Sequence, residues 1–181
     1  MAIREIITKG DPALEKVCHK VTKFDQRLWD LLDDMKDTLE QSNGVGLAAP
    51  QIGILRRVVL VINSRDEVLE LINPEIIHTE GEQEGLEGCL SFPGRWGNVK
   101  RPMLVRVRAQ DRNGEWFEVE DTELTARCFC HELDHLEGHM FDELTDRLYT
   151  AEELDAMAEE EEGEFCLWGR RNLLCRLFVR W

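Results

Sequence analysis

Five consecutive residues, His131-Glu132-Leu133-Asp134-His135, carry the strongest chemical signal in this sequence. Two histidines four positions apart on an α-helix share a face, so both imidazoles can be aimed at one metal ion. Glu132 is rotated by about 100° from His131 (3.6 residues per turn), where it could reach water on such an ion. A hydrolytic centre of this kind needs a third protein ligand and one position left for water. Two thiols are candidates. Cys128 lies one turn before His131, but three ligands on consecutive turns strain a helix, and a cysteine there packs well as a small apolar side chain. Cys89 sits in Glu87-Gly88-Cys89-Leu90-Ser91, where a glycine lets the backbone approach closely. It is the preferred third ligand.

The histidine pair must ride on a helix, and the sequence supplies one. Asp121 or Thr122 can cap it, Leu124 through Glu137 form its body, and Gly138 stops it. An earlier helix is expected over Asp25 to Ser42. Phe24, Leu28, Leu31, Leu32, Met35 and Leu39 recur at helical spacing as a core face, with Asp30, Asp33, Asp34 and Asp37 mostly elsewhere. Asn43-Gly44-Val45-Gly46 ends that helix and opens a loop. Arg57 to Asn63 reads as a buried strand, with Val68 to Ile72 as its short neighbour. Val105 to Ala109 alternates apolar and polar, Asn113-Gly114 signals a hairpin, and Trp116 to Val119 supplies the return strand. These elements predict an α+β domain, with short antiparallel or mixed sheets packed around a central metal-binding helix and flanked by an N-terminal and a C-terminal helix.

Taken together, three segments resemble the signature motifs of the peptide deformylases, in the family's order and spacing. They are the loop Gly44-Val45-Gly46-Leu47-Ala48-Ala49-Pro50-Gln51, the strand Glu87-Gly88-Cys89-Leu90-Ser91 and the helix His131-Glu132-Leu133-Asp134-His135. The resemblance runs from about Ile6 to Asp146. It implies a metal ion held by Cys89, His131 and His135, with Fe(II) as the physiological ion and Zn, Ni or Co as substitutes that the same donors accept. It implies that hydroxide on the metal attacks the formyl group of N-formylmethionyl nascent peptides, with Glu132 as general acid and base. Gln51 and the Leu90 backbone N–H are then the donors to the formyl oxygen, and Gly46 contacts the substrate main chain. Val45, Leu124 and Cys128, apolar and near the motifs, are candidates to line the methionine pocket. Arg127 falls between two of them and would make one wall polar. Glu87 and Asp134 could orient the site through Arg101.

Two other readings compete. A zinc peptidase of the His-Glu-x-x-His kind would take its third ligand downstream, from Glu143 or His139, and would leave the Cys89 segment and the Gln51 loop unexplained. A catalytically silent relative would close its metal site with a fourth protein ligand.

The 181 residues suit a single domain, expected over residues 1–164, and the formal charge of −15 argues against general nucleic-acid binding. No secretory signal or membrane span is expected near the start or beyond it, which points to the cytoplasm. There the six cysteines stay reduced, and Cys18, Cys166 and Cys175, like His19, His78 and His139, are taken as structural. Glu152 to Glu164 holds eight acidic residues and no basic one, an exposed helix by expectation, whereas residues 165–181 carry Arg170, Arg171, Arg176 and Arg180 among Leu, Phe and Trp. That basic apolar tail is expected to dock on the acidic body, with contact to ribosomal RNA as the alternative.

Overall fold

Asp25 starts the first helix, α1 (Gln26–Ser42), by accepting hydrogen bonds from the backbone N–H groups of Arg27 and Leu28 at 3.2 and 3.3 Å. Asn43, in the left-handed conformation with φ 55°, ends it. Leu28, Leu32, Met35 and Leu39 are buried along one stripe as their spacing predicts. Truncating fully buried Leu32 to Ala should cost about 2–5 kcal/mol. Asp34 departs from the expected outward-facing acids. It is buried, and it accepts from the Ala2 backbone N–H at 2.6 Å and from both Nε and Nη2 of Arg4, tying the N-terminal segment to α1.

In the computed structural model, which describes the backbone of residues 2–165 and the side chains of residues 2–158, α1 covers one face of a five-stranded sheet. Its strands are β1 (Gly46–Ala48), β2 (Val58–Ile62), β3 (Val68–Glu80), β6 (Leu104–Gln110) and β7 (Trp116–Thr122), in the order β1-β2-β3-β6-β7 with every pair antiparallel. The second helix, α2 (Glu123–Glu137), covers the other face. Strand β2 is therefore buried on both sides. Val58 and Leu60 pack with α1 residues, and Val59 and Val61 pack with Phe129 and Leu133 of α2. Burial on both faces explains why this strand reads as an unbroken apolar run rather than an alternation.

A second, three-stranded antiparallel sheet consists of β4 (Gln83–Cys89), β5 (Phe92–Arg101) and β8 (Leu148–Tyr149). A third helix, α3 (Ala151–Phe165), follows it, with residues 151–158 mostly exposed as the acidic composition predicts. Among the described residues no helix is long and apolar enough to cross a membrane. The tail from residue 166 onward, with its expected docking or RNA contact, lies outside the described residues.

Two local expectations need correction. Strand β3 continues to Glu80, well past Ile72, because its second half pairs with β6 beyond an irregularity at Asn73-Pro74. Asn73 takes φ 52° there, and its side chain bonds both backbone groups of Val21 and the Gln110 amide. Thr122 stands at the N-cap of α2 but makes no capping hydrogen bond. The Asp121 carboxylate instead accepts from the backbone N–H groups of Thr122 and Ser64.

Candidate metal centre

Strand β4 ends on Cys89, and its alternation places Gly85, Glu87 and Cys89 on the face that meets α2. Helix α2 contributes His131 and His135 from one buried side. The ligand atoms of Cys89, His131 and His135 lie within 4.8 Å of one another, all three buried. Cys89 Sγ is 3.3 Å from His135 Nε2. The two imidazoles meet edge to face, with centroids 5.0 Å apart, and Phe141 stacks on His131 at 6.0 Å. One thiol and two imidazoles converging in a buried recess form a donor set that first-row divalent ions accept.

The fit to a metal is supported by what surrounds the triangle. His131 Nδ1 lies 3.1 Å from Glu87 Oε2, which would make Nε2 the nitrogen offered to a metal. Cys89 Sγ accepts from the Ser91 backbone N–H at 3.4 Å and from Gln51 Nε2 at 3.5 Å. Beside the triangle, Glu132 is 1% exposed, and its Oε2 is a buried oxygen with no hydrogen-bond partner among the described residues. An unpaired buried oxygen at this point suits a group that acts on a water or substrate.

Charge is distributed unevenly through the site. Burial would raise the Glu87 carboxyl, but hydrogen bonds with His131 and Arg101 outweigh it and bring its pKa down to about 2. Arg101 spans Glu87 at 2.9 and 3.1 Å and Asp134 at 2.7 Å, as the expected bridging role requires. Burial similarly opposes the His131 imidazolium, yet contacts with Cys89 and Glu87 hold its pKa well above the usual range. Burial, followed by the charge of His131, pushes His135 well below. Glu132 is raised to about 7, chiefly by desolvation.

Gln51 stands in the short 3₁₀ turn that follows β1. Its Oε1 accepts from the Ala48 backbone N–H at 2.8 Å, and its Nε2 donates to Ser91 Oγ at 3.2 Å. The amide N–H₂ is thereby aimed at the sulfur. Leu90 follows Cys89 directly in the turn between β4 and β5. Gly46 passes close to α2, since a Cβ there would fall 2.6 Å from Cys128 Sγ and nearer still to Glu132 Oε1. Cys128 is buried, with its thiol 3.5 Å from the Val45 carbonyl, and Val45 is half-buried. Leu124 is 49% exposed and can form only an outer rim.

Arg127 corrects the expected polar pocket wall. Its side chain is 5% exposed and turns toward β4 and β5, with Nη1 2.9 Å from Glu87 Oε1. The downstream rivals for the third ligand do not reach the cluster. His139 and Glu143 are exposed and pair with each other at 2.9 Å. Two participants were missed from sequence. Ser91 lies within the cysteine motif, whose spacing assigns it no role, and Phe141 carries no signal that would link it to His131.

The family description "Polypeptide deformylase" matches residues 3–150. A peptide deformylase of Agathobacter rectalis is 52% identical over 141 residues, covering 78% of this chain and 89% of its own. That of Acetivibrio thermocellus is 50% identical over 161 residues, covering 89% and 94%. Among solved structures, the peptide deformylase of Thermotoga maritima superposes with a TM-score of 0.77 at 36% identity, covering 81% of this chain and all of its own. The Met-Ala-Ser-bound enzyme of Acinetobacter baumannii does so at 0.75 and 33%, covering 79% and 98%. With identity near one half across most of the chain and the same fold, this protein is an enzyme of the polypeptide deformylase family.

Proposed function

We propose that this enzyme hydrolyses the N-formyl group from the N-terminal formylmethionine of nascent polypeptides in the cytoplasm, releasing formate. The observation that carries the proposal is the buried Cys89-His131-His135 triangle with the unpaired Glu132 carboxyl beside it. Residues 1–164 would act as one catalytic unit. Cys89, His131 and His135 would hold a divalent ion, Fe(II) physiologically. When bound, such an ion supplies Lewis acidity and brings a water toward ionisation near neutral pH.

The remaining chemistry belongs to the chain. Glu132 accepts the proton of the attacking water and passes it to the departing amine, a task that suits a carboxyl with a pKa of about 7. The Gln51 amide and the Leu90 N–H donate to the formyl oxygen as it gains charge, and each such donor is worth about 3 kcal/mol. The main chain at Gly46 takes the substrate backbone, with Val45, Cys128 and the Leu124 rim beside the methionine side chain. The Met-Ala-Ser bound by the Acinetobacter baumannii relative is the tripeptide that deformylation of formyl-Met-Ala-Ser would leave. The test is formate release from formyl-Met-Ala-Ser by anaerobically purified protein, with metal content measured on the same sample. Formate should scale with bound metal and vanish in Glu132→Ala while the metal stays. Stoichiometric metal without formate would overturn the reading.

A further inference from the structure

We propose that Arg127 is a positioning residue for the metal centre, setting the distance between the cysteine ligand on β4 and the histidine ligands on α2. The inference rests on the metal-centre reading above. Arg127 lies one turn before His131 on α2, and its Nη1 contacts three acceptors on the β4–β5 hairpin. These are Glu87 Oε1 at 2.9 Å, the Val99 carbonyl at 3.0 Å and the Gly85 carbonyl at 3.2 Å. Gly85 and Val99 face each other across the β4–β5 ladder, so one guanidinium straps both strands of the Cys89 hairpin to the histidine helix. The strap has a seat: a Cβ at Gly85 would come within 3.2 Å of Arg127 Nη2, closer than ordinary contact.

Stability alone does not account for this arrangement. Burying a guanidinium costs desolvation, and replacing buried ion pairs with apolar residues of similar volume is often neutral or stabilising. Nor is Arg127 needed simply to neutralise Glu87, because Arg101 already grips both of its oxygens. Arg127 adds a fixed link from α2 to the strand that carries Glu87 and, two residues on, Cys89. Loss of that link would free Glu87 to swing with Arg101 toward Asp134, loosening the hydrogen bond that orients His131.

The test compares Co(II) affinity, by chelator competition, and the visible Co(II) spectrum in wild type, Arg127→Met, Arg127→Lys and Gly85→Ala. Arg127→Met should bind Co(II) about 10- to 100-fold more weakly, the range typical of lost outer-shell partners, with shifted d–d and thiolate charge-transfer bands. Arg127→Lys restores the charge but not the three-way reach, and should recover part of the affinity. Gly85→Ala, which presses on the guanidinium and leaves its charge, should move the spectrum in the same direction by less. Should Arg127→Met fail to fold by circular dichroism, the other two variants decide. Affinities within about twofold of wild type, with unchanged spectra, would overturn the role of Arg127. A wild-type protein that binds no Co(II) through a thiolate would overturn the metal-centre reading itself.

Discussion

Replacing Gly46 with alanine probes the closest approach in the site. The new Cβ would sit 2.6 Å from Cys128 Sγ and 2.8 Å from Glu132 Cδ, where ordinary contact begins at 3.4 Å. At least 0.8 Å must be recovered at the sulfur, 0.6 Å at Glu132 Cδ, and more at Glu132 Oε1, which lies nearer still. Cys128 cannot retreat, because it is packed among Ala126, Phe129 and the sheet residues of the core. Glu132 is the softer neighbour, with one unpaired oxygen, so the carboxyl moves. A displacement approaching 1 Å in a reacting group can cost about 100-fold in rate. Gly46→Ala should therefore lower kcat by about that factor while the metal content stays near wild type, because Cys89, His131 and His135 are not displaced; the melting temperature should fall, because moving Glu132 does not relieve the contact with Cys128. The assay is steady-state formate release with metal determined on the same protein. A variant that keeps its metal and loses less than about threefold in kcat would refute the argument that Gly46 sets the position of Glu132.

Cys89→Ala should abolish stoichiometric metal binding while His139→Ala retains it, since His139 is exposed and paired with Glu143; metal analysis after dialysis decides, and the reverse pattern would favour the peptidase ligand set. Glu132→Gln should keep its metal and lose kcat by about 100- to 10,000-fold, whereas Glu87→Gln should weaken metal binding by about 10- to 100-fold; similar losses of both properties in both variants would contradict the division of roles. Asp34 is held below the usual carboxylate range first by the Ala2 N–H and then by Arg4 despite some desolvation. A depressed folded-state pKa contributes stability that is complete above the unfolded value of about 3.9 and is lost as pH falls below it. Asp34→Asn should thus be less stable than wild type by about 1–3 kcal/mol at pH 7, and urea unfolding should show the gap narrowing below about pH 4; a gap that widens there would show the sign to be wrong.

The sequence was most legible where one element decides its own contents. The α1 stripe, the β2 run and the extent of the histidine helix up to Gly138 each follow from local pattern, and Cys89, His131 and His135, expected as ligands, lie together. Legibility failed where a distant partner sets the outcome. Strand β3 looked finished at Ile72 because Pro74 interrupts the pattern, yet β6 pairs with the half beyond it. Asp34 looked like one more outward acid until the N-terminal segment folded onto it. Arg127 looked like a pocket residue because helical position gives direction but not what lies opposite, and the opposing acceptors come from residues 28 to 42 positions away in the chain. The β4–β5 hairpin, apart from its cysteine motif, gave little local signal, since its glycines and charges make sense only against α2 and the turn that carries Phe141.

The arrangement also explains how two carboxyls within one buried site come to hold different protons. Glu87 is 0% exposed and Glu132 is 1% exposed, so desolvation raises both. Glu87 meets two guanidiniums and an imidazole, and the hydrogen bonds and charges of His131 and Arg101 overcome burial and take its pKa to about 2. Glu132 has the neighbouring charge of His131 in its favour but the negative charges of Glu87 and Asp134 against it, and it stays near 7. Divergent pKa values in adjacent titratable groups separate a fixed charge from a transferable proton. Here the separation follows the helix. The side of α2 that faces Arg101 and the β4–β5 hairpin holds Glu87 as an anion hydrogen-bonded to His131. The side that faces Gly46 leaves Glu132 without a guanidinium partner and with one unpaired oxygen, and its pKa remains near neutral. A single substitution that gave Glu132 a guanidinium partner would lower its pKa away from neutral while leaving every ligand atom in place.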